Sequence, residues 1–248
     1  MIKNKIIYYP IILLAVFLVY LYTANAFIYY RIERGALSFL KHEPKIFMTS
    51  DNSPLLTYAA LGDSLTSGAG AKTPEESYPY LLSLEMSATG KNIKLQNFST
   101  PGYKTQDLID VWLTPAINSQ PDIITVLIGV NDIHNHIAKE QFRKNYQTII
   151  ERLQSETKAK IYLINIPYIG SNTTIVPPLD YYFETETNEF NKIIKELADA
   201  YHLDYLDLNS ATKDLFKTDG LHYAADSFHP SAYGYKLWAD IIYDRLHY

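Results

Sequence analysis

Residues 123–128 read Ile-Ile-Thr-Val-Leu-Ile, a β-type run that is apolar on both of its faces. Such a strand belongs at the centre of a parallel sheet, where helices cover both faces. Four other β-type runs alternate with helical patterns along the chain, which predicts an α/β fold with a five-stranded parallel sheet. The predicted strands cover residues 57–61, 93–98, 123–128, 161–166 and 203–208, and the predicted helices lie near 76–88, 105–117, 140–157, 184–201 and 231–246.

The amino-terminal segment differs in character from the rest of the chain. Residues 6–30 contain no charged side chain, and a helix of about 20 apolar residues is long enough to span a bilayer. Lys3 and Lys5 precede this run and favour a cytoplasmic amino end. We therefore predict an uncleaved transmembrane helix within residues 1–30. A cleaved secretory signal is the alternative, because Ala24-Asn-Ala26 resembles a small-residue cleavage site.

The chain is thus predicted to have three parts, which are the anchor or signal segment at residues 1–30, a juxtamembrane linker at 31–54 and a globular domain at 55–248. An uncleaved helix would make the chain a single-pass membrane protein with its domain outside the cytoplasm, whereas cleavage would release the domain as a secreted protein. A net charge of −5 argues against a nucleic-acid-binding protein, because such proteins bind phosphates through Lys and Arg. The chain has no cysteine, which excludes disulfides, thiolate zinc sites and Cys nucleophiles.

Residues suited to one kind of chemistry follow four of the predicted strands. Ser64 follows the first strand, Gly102 the second and Asn131 the third, while Asp226 and His229 come after the fifth. Ligands of open α/β sheets bind beyond the carboxyl ends of the strands, so we expect these residues to meet at one rim. A serine nucleophile needs a base, a group that orients the base and donors for the oxyanion. The five residues supply a candidate for each of these roles.

Four sequence blocks, in order, resemble the SGNH hydrolases, which are also called the GDSL esterase/lipase family. The blocks are Gly62-Asp-Ser-Leu65, Asn97-Phe-Ser-Thr-Pro-Gly102, Gly129-Val-Asn-Asp132 and Asp226-Ser-Phe-His-Pro-Ser-Ala-Tyr-Gly-Tyr235. The resemblance covers residues 57–248 and implies a flavodoxin-like three-layer α/β/α sandwich, an SGNH catalytic domain at 55–248, and ester hydrolysis without a metal or other cofactor. It also implies that Ser64 is the nucleophile. The backbone N–H groups of Ser64 and Gly102 and the side chain of Asn131 would form the oxyanion hole.

Two segments with the spacing Asp-x-x-His compete for the role of the general base. Asp219-Gly-Leu-His222 and Asp226-Ser-Phe-His229 have the same spacing, but only the second is followed by Pro-Ser-x-x-Gly-Tyr and a helical pattern. That context fixes the loop beside an element of secondary structure. We therefore predict that His229 is the base, that Asp226 orients its imidazole, and that His222 is a loop residue.

Other polar residues near these blocks have simpler interpretations. Asp63 is expected to hold the Ser64 loop through backbone amides rather than to take part in catalysis. His134 and His136 lie at a spacing that resembles a metal site, but without carboxylate or cysteine partners nearby we expect both to be solvated. Residues 168–182 follow the fourth strand without helical periodicity and are interpreted as a long loop beside the substrate.

The sequence therefore predicts an extracytoplasmic serine esterase that is held in the membrane through residues 6–30. Candidate substrates are lysophospholipids, other acyl lipids and O-acetyl groups of glycans. An acyltransferase would use the same intermediate with a different acceptor. The competing hypothesis is a catalytically silent module that binds a glycan or a lipid at the cell surface.

Overall fold

The computed structural model of this chain describes residues 5–35, 45–47, 53–168, 170, 174–218 and 220–247. Its strands form a single six-stranded sheet. These strands are β1 (Lys45–Phe47), β2 (Leu55–Gly62), β3 (Asn92–Ser99), β4 (Ile123–Leu127), β5 (Lys160–Ile164) and β6 (Asp204–Leu206). Their order across the sheet is β1-β3-β2-β4-β5-β6.

Five of the six strands are parallel, as the sequence predicts. Pairing runs from β3 through β2, β4 and β5 to β6, which is the strand order of flavodoxin-like folds. Every residue of β4 is buried, in agreement with its apolar sequence and its central position. The α/β fold class and the five-stranded parallel sheet are therefore confirmed.

The sixth strand, β1, was not predicted. It pairs antiparallel with β3, with Lys45 opposite Leu95 and Phe47 opposite Ile93. It belongs to the segment interpreted as a linker, of which residues 36–44 and 48–52 lie outside the described part of the chain. The division of the chain after residues 30 and 54 stays a prediction.

The described residues contain ten α-helices, and one π-helical turn, Ile109–Leu113, joins the fourth helix to the fifth. They are α1 (Lys5–Gly35), α2 (Ser64–Ser67), α3 (Tyr78–Ser87), α4 (Thr105–Leu108), α5 (Thr114–Asn118), α6 (Val130–His134), α7 (Lys139–Glu156), α8 (Leu179–Ala200), α9 (Leu208–Thr218) and α10 (Ala232–Tyr243). All five predicted helices are present. Helix α9 was not predicted, and α8 begins within the segment interpreted as a long loop.

The helices form a layer on each side of the sheet. The connection from β2 to β3 runs one way across the sheet and the later connections run the other way, so right-handed crossovers place α3 on one face and α7 and α8 on the other. Helix α10 packs against α3, while α7 packs against α4 and α8. The fold is therefore the expected three-layer sandwich.

Helix α1 contains a segment, Tyr9–Ile28, that is long and apolar enough to cross a membrane, with a mean hydropathy of 2.3 and almost no burial within the protein. A secretory signal has the same length and composition. The structure therefore agrees with both the anchor and the signal that the sequence predicts for this segment.

Candidate active site

Ser64 lies just beyond the carboxyl end of β2, as the first residue of the short helix α2. Gly62, the last residue of β2, pairs with Ser99 of β3 and with Leu127 of β4. A Cβ atom on Gly62 would lie 2.1 Å from Thr66 Oγ1, so the sharp passage from strand to helix requires glycine here. The register brings the carboxyl ends of three strands to one rim, with Ser64 at the middle one.

Ser64, His229 and Asp226 form a continuous relay of hydrogen bonds. The Nε2 atom of His229 lies 3.1 Å from Ser64 Oγ, and its Nδ1 atom lies 2.7 Å from Asp226 Oδ2. His229 is completely buried, and Ser64 is only 4% exposed. The structure thus brings together the three residues that the sequence assigned to the nucleophile, the base and the orienting acid, although they are far apart in the chain.

Asp226 is held as a carboxylate by the groups around it. Burial alone would raise its pKa, but the hydrogen bond and charge interaction with His229, together with the backbone N–H groups of Phe228 and His229, lower the pKa below its usual value. An ionised carboxylate only accepts hydrogen bonds. His229 Nδ1 therefore donates in this contact, and Nε2 is the ring nitrogen that faces the Ser64 hydroxyl.

The loop that carries His229 is fixed on both sides. Tyr223 forms an antiparallel bridge with Pro230, and Ala224 N donates to the carbonyl oxygen of His229 at 2.9 Å. The side chain of Ser231 then caps α10 by accepting a hydrogen bond from Gly234 N at 3.2 Å. The Pro-Ser-x-x-Gly sequence after His229 thus provides the support that favoured this histidine over His222.

His222 occupies a different environment. It ends a short 3₁₀ turn, Gly220–His222, and its ring packs against Phe216 and Tyr233, with centroid distances of 5.0 Å to each. It is buried and lies in the connection between α9 and α10. Asp219, the acid of the competing pair, lies outside the described residues.

Gly102 lies in a tight turn after β3. Tyr103 N donates to the carbonyl oxygen of Thr100 at 3.2 Å, and Gly102 has a φ of 84°. Proline at the second position of such a turn and a positive φ at the third are the signature of a type II turn, in which glycine is favoured at the third position. A Cβ atom here would meet no other atom within 4 Å, so steric crowding does not require the glycine. Its positive φ does.

Asn131 lies in α6, just beyond the carboxyl end of β4, and is nearly buried. Its Nδ2 atom donates to the carbonyl oxygen of Tyr103 at 3.0 Å, which ties it to the turn that contains Gly102. An amide nitrogen carries two hydrogens. One hydrogen serves this contact, so the side chain has a second N–H that can donate.

Asp63 is buried beside the nucleophile and is linked electrostatically to a second buried acid, Asp132. Its Oδ1 atom accepts from Leu65 N at 2.9 Å, which holds the first turn of α2 as expected. Burial is the largest effect and raises the pKa of Asp63 to about 7, with a smaller contribution from the charge of Asp132. Burial likewise raises the pKa of Asp132 to about 6, although two hydrogen bonds from Thr105 oppose the shift. At neutral pH the environment therefore disfavours the simultaneous ionisation of Asp63 and Asp132.

We expect Asp63→Asn to stabilise the protein more at pH 7 than at pH 4.5. Between pH 4 and 7 the folded chain retains a proton on Asp63 that the unfolded chain has released, so the unfolding free energy of the wild type falls as pH rises through this range. The variant lacks this proton uptake but retains an oxygen that accepts from Leu65 N. Its advantage over the wild type should grow by about 1–3 kcal/mol from pH 4.5 to 7.

Urea unfolding of both proteins in the same detergent at the two pH values measures this change. The matched control is Asp110→Asn, which alters an exposed carboxylate in the helical segment after β3. An Asp63→Asn advantage that does not depend on pH would contradict the assignment of a shifted pKa to Asp63.

His134 is buried, contrary to the expectation that it would be solvated. Its ring lies between Phe183 and Phe228, with centroid distances of 5.0 and 5.4 Å. Burial, with a smaller effect of the nearby His229, lowers its pKa to about 4. His134 is therefore a neutral packing residue behind the loop of His229. His136 is exposed, and its Nδ1 atom lies 3.0 Å from the hydroxyl of Tyr182.

Comparison with known proteins gives a consistent result. The sequence profile described as the GDSL-like lipase/acylhydrolase family matches residues 60–237. The chain is 24% identical over 205 residues to a spore germination lipase of Bacillus licheniformis, which covers 75% of this chain and 93% of that protein. It is 25% identical over 159 residues to an acetylxylan esterase of Geobacillus stearothermophilus, which covers 59% of this chain and 69% of that protein.

Solved structures agree with this similarity. The lipase/acylhydrolase from Enterococcus faecalis superposes with a TM-score of 0.64 at 26% sequence identity, covering 76% of this chain and 94% of that chain.

Proposed function

Because the chain belongs to the GDSL-like lipase/acylhydrolase family and is a carboxylic ester hydrolase of that family, we propose that it is a serine esterase that works through an acyl-enzyme on Ser64. The observation that carries this proposal is the relay from Ser64 Oγ through His229 to Asp226. It links a weak nucleophile to a base whose ring is oriented by a carboxylate.

In the acylation step, Ser64 Oγ attacks the carbonyl carbon of the ester while His229 Nε2 accepts the hydroxyl proton. The imidazolium that forms is stabilised by Asp226, which stays ionised because its pKa is lowered. The tetrahedral intermediate then collapses, its carbon–oxygen bond to the alcohol breaks, and His229 gives its proton to the departing alkoxide. Water repeats these steps in the second half of the reaction and releases the acid.

The negative charge of the tetrahedral intermediate would rest on three donors. Ser64 begins α2, so its N–H has no partner within the helix. The Gly102 turn supplies a second N–H, and the free hydrogen of the Asn131 amide supplies the third. The hydrogen bond from Asn131 to Tyr103, the neighbour of Gly102, supports this assignment because it holds the amide and the turn together before any substrate binds.

The substrate proposed is a carboxylic ester of a lipid or of an O-acetylated glycan. The relatives support both classes, since one is named a lipase and another an acetylxylan esterase. We further propose that α1 attaches the enzyme to the cell membrane with the catalytic domain outside the cytoplasm. Cleavage after Ala26 would instead give a secreted enzyme.

The rival function is a catalytically silent module that binds a lipid or a glycan. Binding alone does not require a buried base within hydrogen-bonding distance of a serine hydroxyl and a carboxylate on the far side of the ring. The relay therefore favours the esterase.

A fluorophosphonate probe tests the proposal directly, because it reacts with a serine that is activated by a base. We expect the wild type to be labelled and Ser64→Ala to remain unlabelled. Ser67→Ala is the matched control and should retain labelling, because Ser67 lies in the same helix but its hydroxyl donates to the Ser64 carbonyl oxygen instead of contacting His229. An unlabelled, correctly folded wild type would favour the silent module.

A further inference from the structure

Helix α1 has two halves with different surroundings. From Tyr9 to Val19 the side chains are exposed around the whole circumference of the helix. Beyond this point one face becomes covered, because Leu21, Ala24 and Asn25 are partly buried and Ile28 is 2% exposed. Positions four residues apart lie on the same face of a helix. The second half of α1 is therefore seated on the globular domain, whereas the first half projects from it.

The seat of α1 includes the segment that follows β5. The hydroxyl of Tyr20 donates to the carbonyl oxygen of Pro177 at 2.7 Å. Tyr20 stands at the boundary between the two halves of α1, so this contact marks where the helix leaves the protein. We call residues 174–178 the rim segment.

The rim segment is in turn connected to the relay. The Oγ1 atom of Thr174 donates to the carbonyl oxygen of Asp226 at 3.4 Å. Ile175 is buried, and Gly170 lies close to both Ile175 and Phe228, the neighbour of His229. Tyr168, at the start of the same connection, lines an apolar pocket together with Leu65 and Phe228. The rim segment is therefore part of the wall beside the candidate active site.

Exposed tyrosine and proline side chains lie around the contact. Tyr22 on α1 and Tyr181 on α8 are each 76% exposed, and Pro177 and Pro178 of the rim segment are exposed as well. Tyrosine is enriched where membrane proteins meet the lipid headgroups, because its ring is apolar and its hydroxyl is polar. An exposed tyrosine thus lies on each of the two elements that flank the Tyr20–Pro177 contact.

The contact also limits which part of α1 can lie within a bilayer. A span from Tyr9 to Ile28 would place Tyr20, and with it the rim segment, inside the hydrocarbon core. At 1.5 Å per residue, the helix from Lys5 to Tyr20 is about 22 Å long. This is shorter than the hydrocarbon core of about 30 Å, but a bilayer adapts to a short span by thinning.

We propose that α1 crosses the membrane with its first half only, up to Tyr20, and that the seated second half holds the rim segment against the outer lipid surface. The mouth of the site then faces lipid headgroups, and the enzyme takes its ester from a lipid in that surface. This inference rests on the proposed esterase function for its substrate, but its geometry is independent of that function.

Accessibility of single cysteines tests the geometry, because the chain has none of its own. The full-length protein in phosphatidylcholine nanodiscs would carry Tyr22→Cys or, as the control expected to lie within the bilayer, Leu14→Cys. Each protein would be treated with a charged maleimide. We expect Cys at position 22 to react and Cys at position 14 to be protected. A span over Tyr9–Ile28 protects both positions, so protection at position 22 would overturn the proposal.

Turnover tests the role of the contact in substrate choice. The same substitution at two tyrosines of α1 provides the comparison, since Tyr20 donates to the rim segment whereas Tyr9 lies near the other end of the helix and is 67% exposed. Using a monoacyl phospholipid in the nanodisc and a water-soluble aryl ester, we expect the ratio of lipid to aryl turnover to fall about fivefold in Tyr20→Phe, as loss of one hydrogen bond implies. The ratio should stay at the wild-type value in Tyr9→Phe.

The outcomes separate the two proposals. If the wild type hydrolyses the aryl ester but the ratio is the same in Tyr20→Phe and the wild type, the rim segment does not govern lipid turnover and the inference is wrong while the esterase stands. If the wild type hydrolyses neither ester, the proposed function fails, and the maleimide reaction at position 22 still decides the position of α1.

Discussion

Replacing His229 by glutamine is expected to lower kcat for a short aryl ester by at least about a thousandfold, and Ser64→Ala should have an effect of the same size. Members of a relay act as a unit, so losing either one removes nearly all of its contribution. The Nε2 atom of His229 is 3.1 Å from Ser64 Oγ, and no side-chain nitrogen of glutamine has a lone pair that can accept the proton. A protein with both changes should be scarcely slower than either single variant.

The matched control is His222→Gln, because the two histidines are separated by seven residues and both are buried. The ring of His222 packs on Phe216 and Tyr233, so its loss should affect stability more than turnover. Circular dichroism during thermal unfolding would separate the two effects. Loss of turnover in a folded His222→Gln, with turnover retained in His229→Gln, would show that the assignment of the base is wrong.

The parallel sheet and the relay were predictable from the sequence because local patterns carry them. A β-type run that is apolar on both faces, such as residues 123–128, fits only the centre of a sheet. The carboxyl ends of parallel strands then necessarily share one rim. The sequence also predicted the support for His229, because Ser231, which caps α10, follows it within three residues.

Strand β1 was not predictable from its own residues. It has only three residues, and its pairing with β3 joins segments about 50 residues apart, so no local periodicity indicates it. The strand forms because the edge of β3 offers unpaired backbone groups.

Helix α9, by contrast, had a signal that the sequence analysis missed. Asp207 accepts a hydrogen bond from Ser210 N, as a helix cap does. Leu208, Thr212 and Phe216 follow at intervals of four residues and are all buried. The β-type pattern of residues 203–208 obscured this start, and the observed strand ends at Leu206.

The burial of His134 and the seating of α1 depend on contacts between distant segments. His134 packs between residues of α8 and of the His229 loop, and Tyr20 meets Pro177 across 157 positions of sequence. The local sequence around His134 indicates an exposed histidine, and that of α1 indicates an unattached apolar helix. Only the folded chain shows that these side chains have partners.

Replacing Asn131 by alanine should lower kcat by about 10²–10³-fold and leave KM within about threefold. A donor that meets the oxyanion is strongest in the transition state, and removing one such donor has an effect of this size. Interactions made only in the transition state change kcat, whereas uniform binding contacts change KM. Asn131 is held toward the Gly102 turn by its bond to Tyr103, so the donor is in place before the substrate arrives.

Asn135→Ala provides the control within the same part of the chain, because this exposed side chain donates to the carbonyl oxygen of Asn131 and reaches the site only through the backbone. Steady-state kinetics on an aryl ester, with thermal unfolding of each variant, measures both changes. A variant that acted mainly by loosening the turn through loss of the Tyr103 contact would instead show a lower unfolding temperature and a higher KM. A rise in KM with an unchanged kcat would therefore show that Asn131 supports the turn and binds the substrate without stabilising the oxyanion.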